Sequence, residues 1–216
     1  MGIKCCKMDK SNKFKSIYER AEITRWIVVY GTSDGVSGFA LKECVMMLQC
    51  VNQYVVEVKK AADLEKRDWT NHLFIIGTVE DNHLLKELDC CGFDSPESYR
   101  IECRNSLWNP ERRMICVCGA TPAGCLYGVE HFNAEYLGTK YLGDMPDEFR
   151  CDLENIPDTL IEETPVIRDR GIWTWGYPIY DYQRFIDNMA RLRMNTLIVW
   201  NDYAPVNVSD VIAYAG

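Results

Sequence analysis

Trp173, Trp175 and Trp200, the last followed directly by Asn201 and Asp202, are the residues whose types and spacing suit a chemistry. Indole rings are flat apolar platforms of the kind that stacks on the C–H face of a sugar. Asn and Asp exchange hydrogen bonds with hydroxyls. On one rim, the five would grip a carbohydrate. The same residues also suit aromatic core filling with a helix-capping Asp202, and spacing alone leaves both readings open. No catalytic residue is identified. Carboxylate-driven glycoside hydrolysis needs two acids flanking the bond, and Asp202 stands alone.

Two other candidates are weaker. The run Gly31-Thr-Ser-Asp-Gly-Val-Ser-Gly38 lies between an apparent strand and an apparent helix, a place where phosphates bind. It matches neither the dinucleotide fingerprint nor the P-loop, and no Lys follows. A flexible turn is the plainer reading; a nucleotide-binding domain is the alternative it would serve. His72, His83 and His131 share no ligand spacing, and none of the eleven cysteines forms a C-x-x-C pair. No metal and no cofactor are expected.

The tryptophans need elements to position them. Tyr182, Phe185, Ile186, Met189 and Leu192 recur at helical spacing, predicting a helix over 181–194. Asp181 is placed to cap its start, Arg191 and Arg193 suit its last turn, and Asn195 suits a left-handed cap. Thr196 to Trp200 is a β-branched run without alternation, as in a strand buried on both faces of a parallel sheet. Val166 to Trp173 reads as the strand before the helix. The unit is therefore strand, helix, parallel strand. Its open edges call for neighbours. Because Ser209 to Tyr214 reads as the start of another helix, residues 166–216 are expected to be the truncated start of a (β/α)8 barrel. That edge also makes self-association an expected partner interaction.

Residues 22–150 read as a separate α+β domain with a mixed or mostly antiparallel sheet and helices packed on it. Strands are predicted at Thr24–Tyr30, Tyr54–Lys59, His72–Gly77, Ser98–Arg104 and Arg113–Gly119, the last two as a hairpin. Helices are predicted at Gly38–Cys50, capped by Ser37, at Asp81–Cys91, stopped by Gly92, and after Thr121. The third carries full punctuation: Thr121 as cap, Pro122 first, Gly138 at the end. Gly124 and Gly128 share one side of it and allow close approach to a sheet. Tyr141 to Pro165 is an extended, proline-punctuated connection, with 151–165 as linker. Residues 1–21 are expected to be a disordered leader.

Composition narrows the classes. Hydrophobic residues make up 47% and charged residues 26%, as in globular domains generally. The net charge of −8 argues against nucleic acid and anionic membrane as partners. No apolar run approaches a membrane span, and the N-terminus lacks a secretory pattern. Cysteine is plentiful, odd in number and placed at apolar positions such as Cys44, Cys103, Cys116 and Cys118. That pattern predicts free thiols in a reducing cytoplasm.

Three motifs in order carry a family resemblance: Ile76-Gly77-Thr78-Val79-Glu80-Asp81-Asn82, then Thr121-Pro122-Ala123-Gly124-Cys125-Leu126-Tyr127-Gly128-Val129, then Arg170-Gly171. From about Thr24 onward the chain resembles the front end of glycoside hydrolases of family 20 (β-N-acetylhexosaminidases) and family 67 (α-glucuronidases). In these a non-catalytic α+β domain precedes a (β/α)8 barrel. The resemblance implies an accessory domain of a carbohydrate-active enzyme, with Arg170 at the position that binds sugar hydroxyls. Trp175 stands where family 20 has an Asp, so N-acetylhexosamine specificity does not follow. The family's acid pair lies on a later barrel strand and has no counterpart here. A stand-alone carbohydrate- or protein-binding module is the alternative from another class.

Overall fold

Strands rich in Ile, Val and aromatic residues that are apolar on both faces need a helix layer on each side. The computed structural model, which describes residues 25–51, 56–138, 153–175 and 179–200, builds such layers. A six-stranded mixed sheet contains β1 (Trp26–Tyr30), β2 (Glu57–Lys60), β3 (His72–Gly77), β4 (Tyr99–Asn105), β5 (Arg113–Gly119) and β6 (Thr159–Glu163), in the order β2-β1-β3-β5-β4-β6. The pairs β1–β2, β1–β3 and β3–β5 are parallel; β4–β5 and β4–β6 are antiparallel. The sheet is thus mixed α/β, not mostly antiparallel. The predicted hairpin of β4 and β5 forms with Tyr99 opposite Gly119.

Alternation divides the central strands between two cores. Trp26, Val28, Phe74, Ile76, Ile115 and Val117 face α1 (Gly35–Val51) and α3 (Pro122–Leu137). Ile27, Val29, Leu73, Ile75, Met114 and Cys116 face α2 (His83–Glu87) with its Leu84 and Leu85. Phe74 meets Phe132 edge-on, with ring centroids 5.0 Å apart. On β4, Tyr99, Ile101 and Cys103 are buried, as their alternation with Arg100, Glu102 and Arg104 requires.

A second, two-stranded parallel sheet joins β7 (Gly171–Trp175) to β8 (Thr196–Trp200) through α4 (Tyr182–Arg191). Asp181 caps α4 by accepting the Arg184 N–H at 2.9 Å. The expected burial of β8 on both faces does not hold in this chain. Ile198 is 51% exposed beside Trp173 at 54%, because the two-stranded sheet is covered on one face only.

Several boundaries differ from expectation. α1 begins at Gly35, not Gly38, because the Gly38 N–H already closes a turn on the Asp34 carbonyl. Ser37 lies inside the helix, so it is not the cap. β2 occupies Glu57–Lys60, and the first residues of its predicted span lie outside the described residues. The connection after α3 contains β6, which pairs with β4 and completes the sheet. β7 starts at Gly171, since Val166, 99% exposed, and its neighbours pair with no strand.

Both misplaced helix ends share one cause. α2 stops at Asp89, not Gly92, and α4 turns on Arg193, not Asn195. Each of these non-glycine residues has positive φ, 54° and 58°. Arg193 N–H reaches Ala190 O and Met194 N–H reaches Met189 O, both at 2.8 Å. Asp89 N–H to Lys86 O and Cys90 N–H to Leu85 O repeat the pattern. These are the paired 5→2 and 6→1 bonds of a Schellman closure, which satisfy otherwise orphan carbonyls.

At the start of α3 the punctuation forms as read: Thr121 Oγ1 accepts the Gly124 N–H, and Gly138 adopts φ 73°. A Cβ at Gly124 would lie 2.4 Å from the Ser98 carbonyl oxygen, a backbone atom that cannot swing away. Gly124→Ala should therefore cost roughly 1–3 kcal/mol of stability. Urea unfolding checks it, and an unchanged midpoint would show that α3 does not sit this close to the sheet.

Candidate functional site

The βαβ unit meets the sheet layer through arginines. Arg170, just before β7, donates Nη1 to Glu97 Oε2 at 2.9 Å, Nε to the Arg193 carbonyl at 2.8 Å and Nη1 to the Ile167 carbonyl at 2.7 Å. Its guanidinium also lies over the Tyr127 ring of α3, 5.4 Å from the centroid. Glu97 uses its other oxygen to accept from Asn195 Nδ2 at 2.9 Å. Asn195 in turn accepts the Arg170 N–H on Oδ1 and donates to the Arg168 carbonyl. The amide side chain so extends the β7–β8 pairing by one rung, which is why Asn195 stands there without being the cap.

Arg191, in the last turn of α4, forms a bidentate pair with Glu43 of α1, with both bonds at 2.8 Å. The Glu43 side chain is 2% exposed. Glu130 of α3 lies beside this pair. Burial first, and then the Glu43 charge, push its carboxyl up to about 8, against the pull of Arg191. The left-handed Arg193 completes the set. Its Nη1 donates to Tyr99 Oη at 2.9 Å, and Tyr99 Oη pairs with His131 Nδ1 at 2.9 Å. Burial and the Arg193 charge lower the His131 pKa, so the ring is neutral and accepts from the tyrosine. Sequence reasoning missed Glu43, Glu97 and Glu130. A glutamate at a core-facing helical position is the one signal that marks Glu43 and Glu130.

The predicted carbohydrate residues divide. Trp175 and Trp200 are register partners at the carboxyl ends of β7 and β8, and Trp173 pairs with Ile198 two residues inside. Asn201 and Asp202 lie outside the described residues. Arg170 is at the amino end of β7, opposite the rim, with its guanidinium held by Glu97, three carbonyls and Tyr127. These contacts tie Arg170 to the joint between β7 and the sheet layer. A 220 Å3 cavity beside it is lined by Tyr99, Tyr127, Glu163, Pro165, Arg170, Leu192 and Arg193. That is below the roughly 300–1,000 Å3 of ordinary ligand pockets.

At the glycine-rich loop only residues 31–34 are free of regular structure. A Cβ on Gly31 would fall 2.2 Å from the Asp81 carbonyl oxygen, so this glycine serves backbone packing. The Asp81 carboxylate stands beside it and Asp34 within it, and negative charge disfavours a polyphosphate. His72 and His131 are also occupied. His72 stacks on Trp26 and accepts the Arg113 N–H on Nδ1 at 2.7 Å. Burial lowers its pKa to about 4, so its 3.5 Å approach to Glu154 is that of a neutral N–H, not an ion pair. No group of three metal-ligating side chains occurs among the described residues. No described helix is long and apolar enough to cross a membrane. No family model matches the chain, and no curated protein is similar to it.

Two predictions follow from the joint. Arg191→Ala leaves Glu43 buried without its cation and should destabilise the protein by about 3–5 kcal/mol, read by urea unfolding. Glu130 gives a pH signature. Its folded pKa is above the ordinary carboxylate value, so the folded state holds a proton that the unfolded chain has lost. Stability should fall as pH rises from about 4.5 to about 8, then level off. Glu130→Gln should flatten that window and raise the melting temperature at pH 8. Parallel Tm–pH curves for both proteins would refute the assignment.

Proposed function

We propose that the chain is the N-terminal part of a carbohydrate-active glycoside hydrolase. The sheet layer is the accessory domain, and β7, α4 and β8 are the first strand, helix and strand of a catalytic (β/α)8 barrel. The observation that carries this reading is the pairing of Trp175 with Trp200 at the carboxyl ends of adjacent parallel strands, with Trp173 exposed two residues inside. In such barrels, ligands sit at that end of the strands. Indole rings there suit the faces of a sugar, and Asn201 and Asp202 follow β8 in sequence to supply polar contacts. Arg170 serves the reading indirectly, by fixing β7 against the accessory layer. The setting is the cytoplasm, in keeping with the free, buried thiols. The open edges of the two-stranded sheet also favour self-association.

Titration with glucuronide, N-acetylhexosaminide and hexose oligosaccharides, followed by tryptophan fluorescence, tests the proposal. Saturable binding is expected, and Trp173→Ala should weaken it about tenfold, near 1.4 kcal/mol. Binding that is absent across glucuronide, N-acetylhexosaminide and hexose ligands, or indifferent to Trp173→Ala, sinks the reading. Turnover of aryl glycosides by this chain is not expected, because Asp202 alone cannot act as an acid pair.

A further inference from the structure

We propose that Cys90 and Cys118 form a redox-sensitive pair that closes to a disulfide and ties the turn after α2 to the carboxyl end of β5. The Schellman closure of α2 sends its next residue inward, so Cys90 is fully buried while its neighbour Cys91 is exposed. Cys118 lies on the β5 face that looks into the same core. Its Sγ is 3.7 Å from the Cys90 carbonyl oxygen, so the two residues touch within that core. That interaction, aided by Arg100, lowers the Cys90 pKa, whereas it and burial raise that of Cys118. Cys90, in the turn beside the exposed Cys91, is the thiol that opening of this turn uncovers, and it takes the role of nucleophile with Cys118 resolving. Cys44, Cys103 and Cys125 belong to the other core, across the sheet. Arg100 clamps the turn from outside, donating to the Asp89 carbonyl at 3.0 Å and the Cys91 carbonyl at 3.5 Å. Local opening of that clamp admits a small oxidant.

With an azo oxidant such as diamide the step balances. The Cys90 thiolate adds to the N=N bond, and the adjacent nitrogen takes a proton. The Cys118 sulfur then attacks the Cys90 sulfur, forming the S–S bond and expelling the nitrogen, which takes the Cys118 proton. The two thiols are oxidised and the azo group is reduced to a hydrazine.

The test treats the folded chain with diamide, blocks residual thiols with N-ethylmaleimide and maps peptides by mass spectrometry without reductant. The expected result is a peptide pair joining the Cys90 segment to the Cys118 segment, lost on reduction. Cys91→Ser and Cys116→Ala should keep it, and Cys118→Ala should abolish it. The retained link in the first two variants carries the proposal should Cys118→Ala fail to fold. The proposal is overturned by a map with no such pair while Cys91 is modified. It is equally overturned by a link that disappears in Cys91→Ser or Cys116→Ala.

Discussion

Three arginines hold the βαβ unit against the sheet layer, and the placement of everything in that unit depends on them. Arg191 on buried Glu43, Arg170 on Glu97 and Arg193 on Tyr99 are partly or fully desolvated contacts with bonds of 2.8–2.9 Å. An apolar interface would tolerate sliding, because burial has no preferred direction. A planar guanidinium with fixed donors does not, so the joint selects one orientation of β7. The cost is desolvation, visible in Glu130, which stays protonated because one cation cannot serve two buried carboxylates.

Backbone packing sets the rest. Gly31 and Gly124 bring two loops to within contact of main-chain oxygens, where any side chain would collide. These contacts seat the 78–82 turn against the end of β1, and α3 against the approach to β4. The sheet layer is therefore fixed on the side that meets α4, and the arginines have a rigid partner.

Much of this was legible in sequence. β3 and β5 match their apolar runs residue for residue, and Thr121, Pro122 and Gly138 act as read, because local patterns and caps determine those elements. What could not be read are choices decided by tertiary contact. Arg193 and Asp89 take left-handed φ that sequence rules give to Gly or Asn, since the Schellman bonds and, at Arg193, the reach to Tyr99 offset the strain. β6 is too charged to announce itself as a strand, and it forms because β4 offers it an edge. Two of the Arg170 partners come from segments more than twenty and more than seventy residues away in sequence. Pattern reading cannot supply such partners.

The one-sided cover of the β7–β8 pair has a topological consequence. Parallel strands joined by helices cross over with one hand. Strands added one after another in parallel beyond β8 would therefore bring their helices to the face that α4 already occupies. However many repeats were added in that direction, the face carrying Trp173 and Ile198 would stay free of crossover helices. Curling would then turn that face inward as the strands closed on one another, with the Trp175 and Trp200 positions at the mouth.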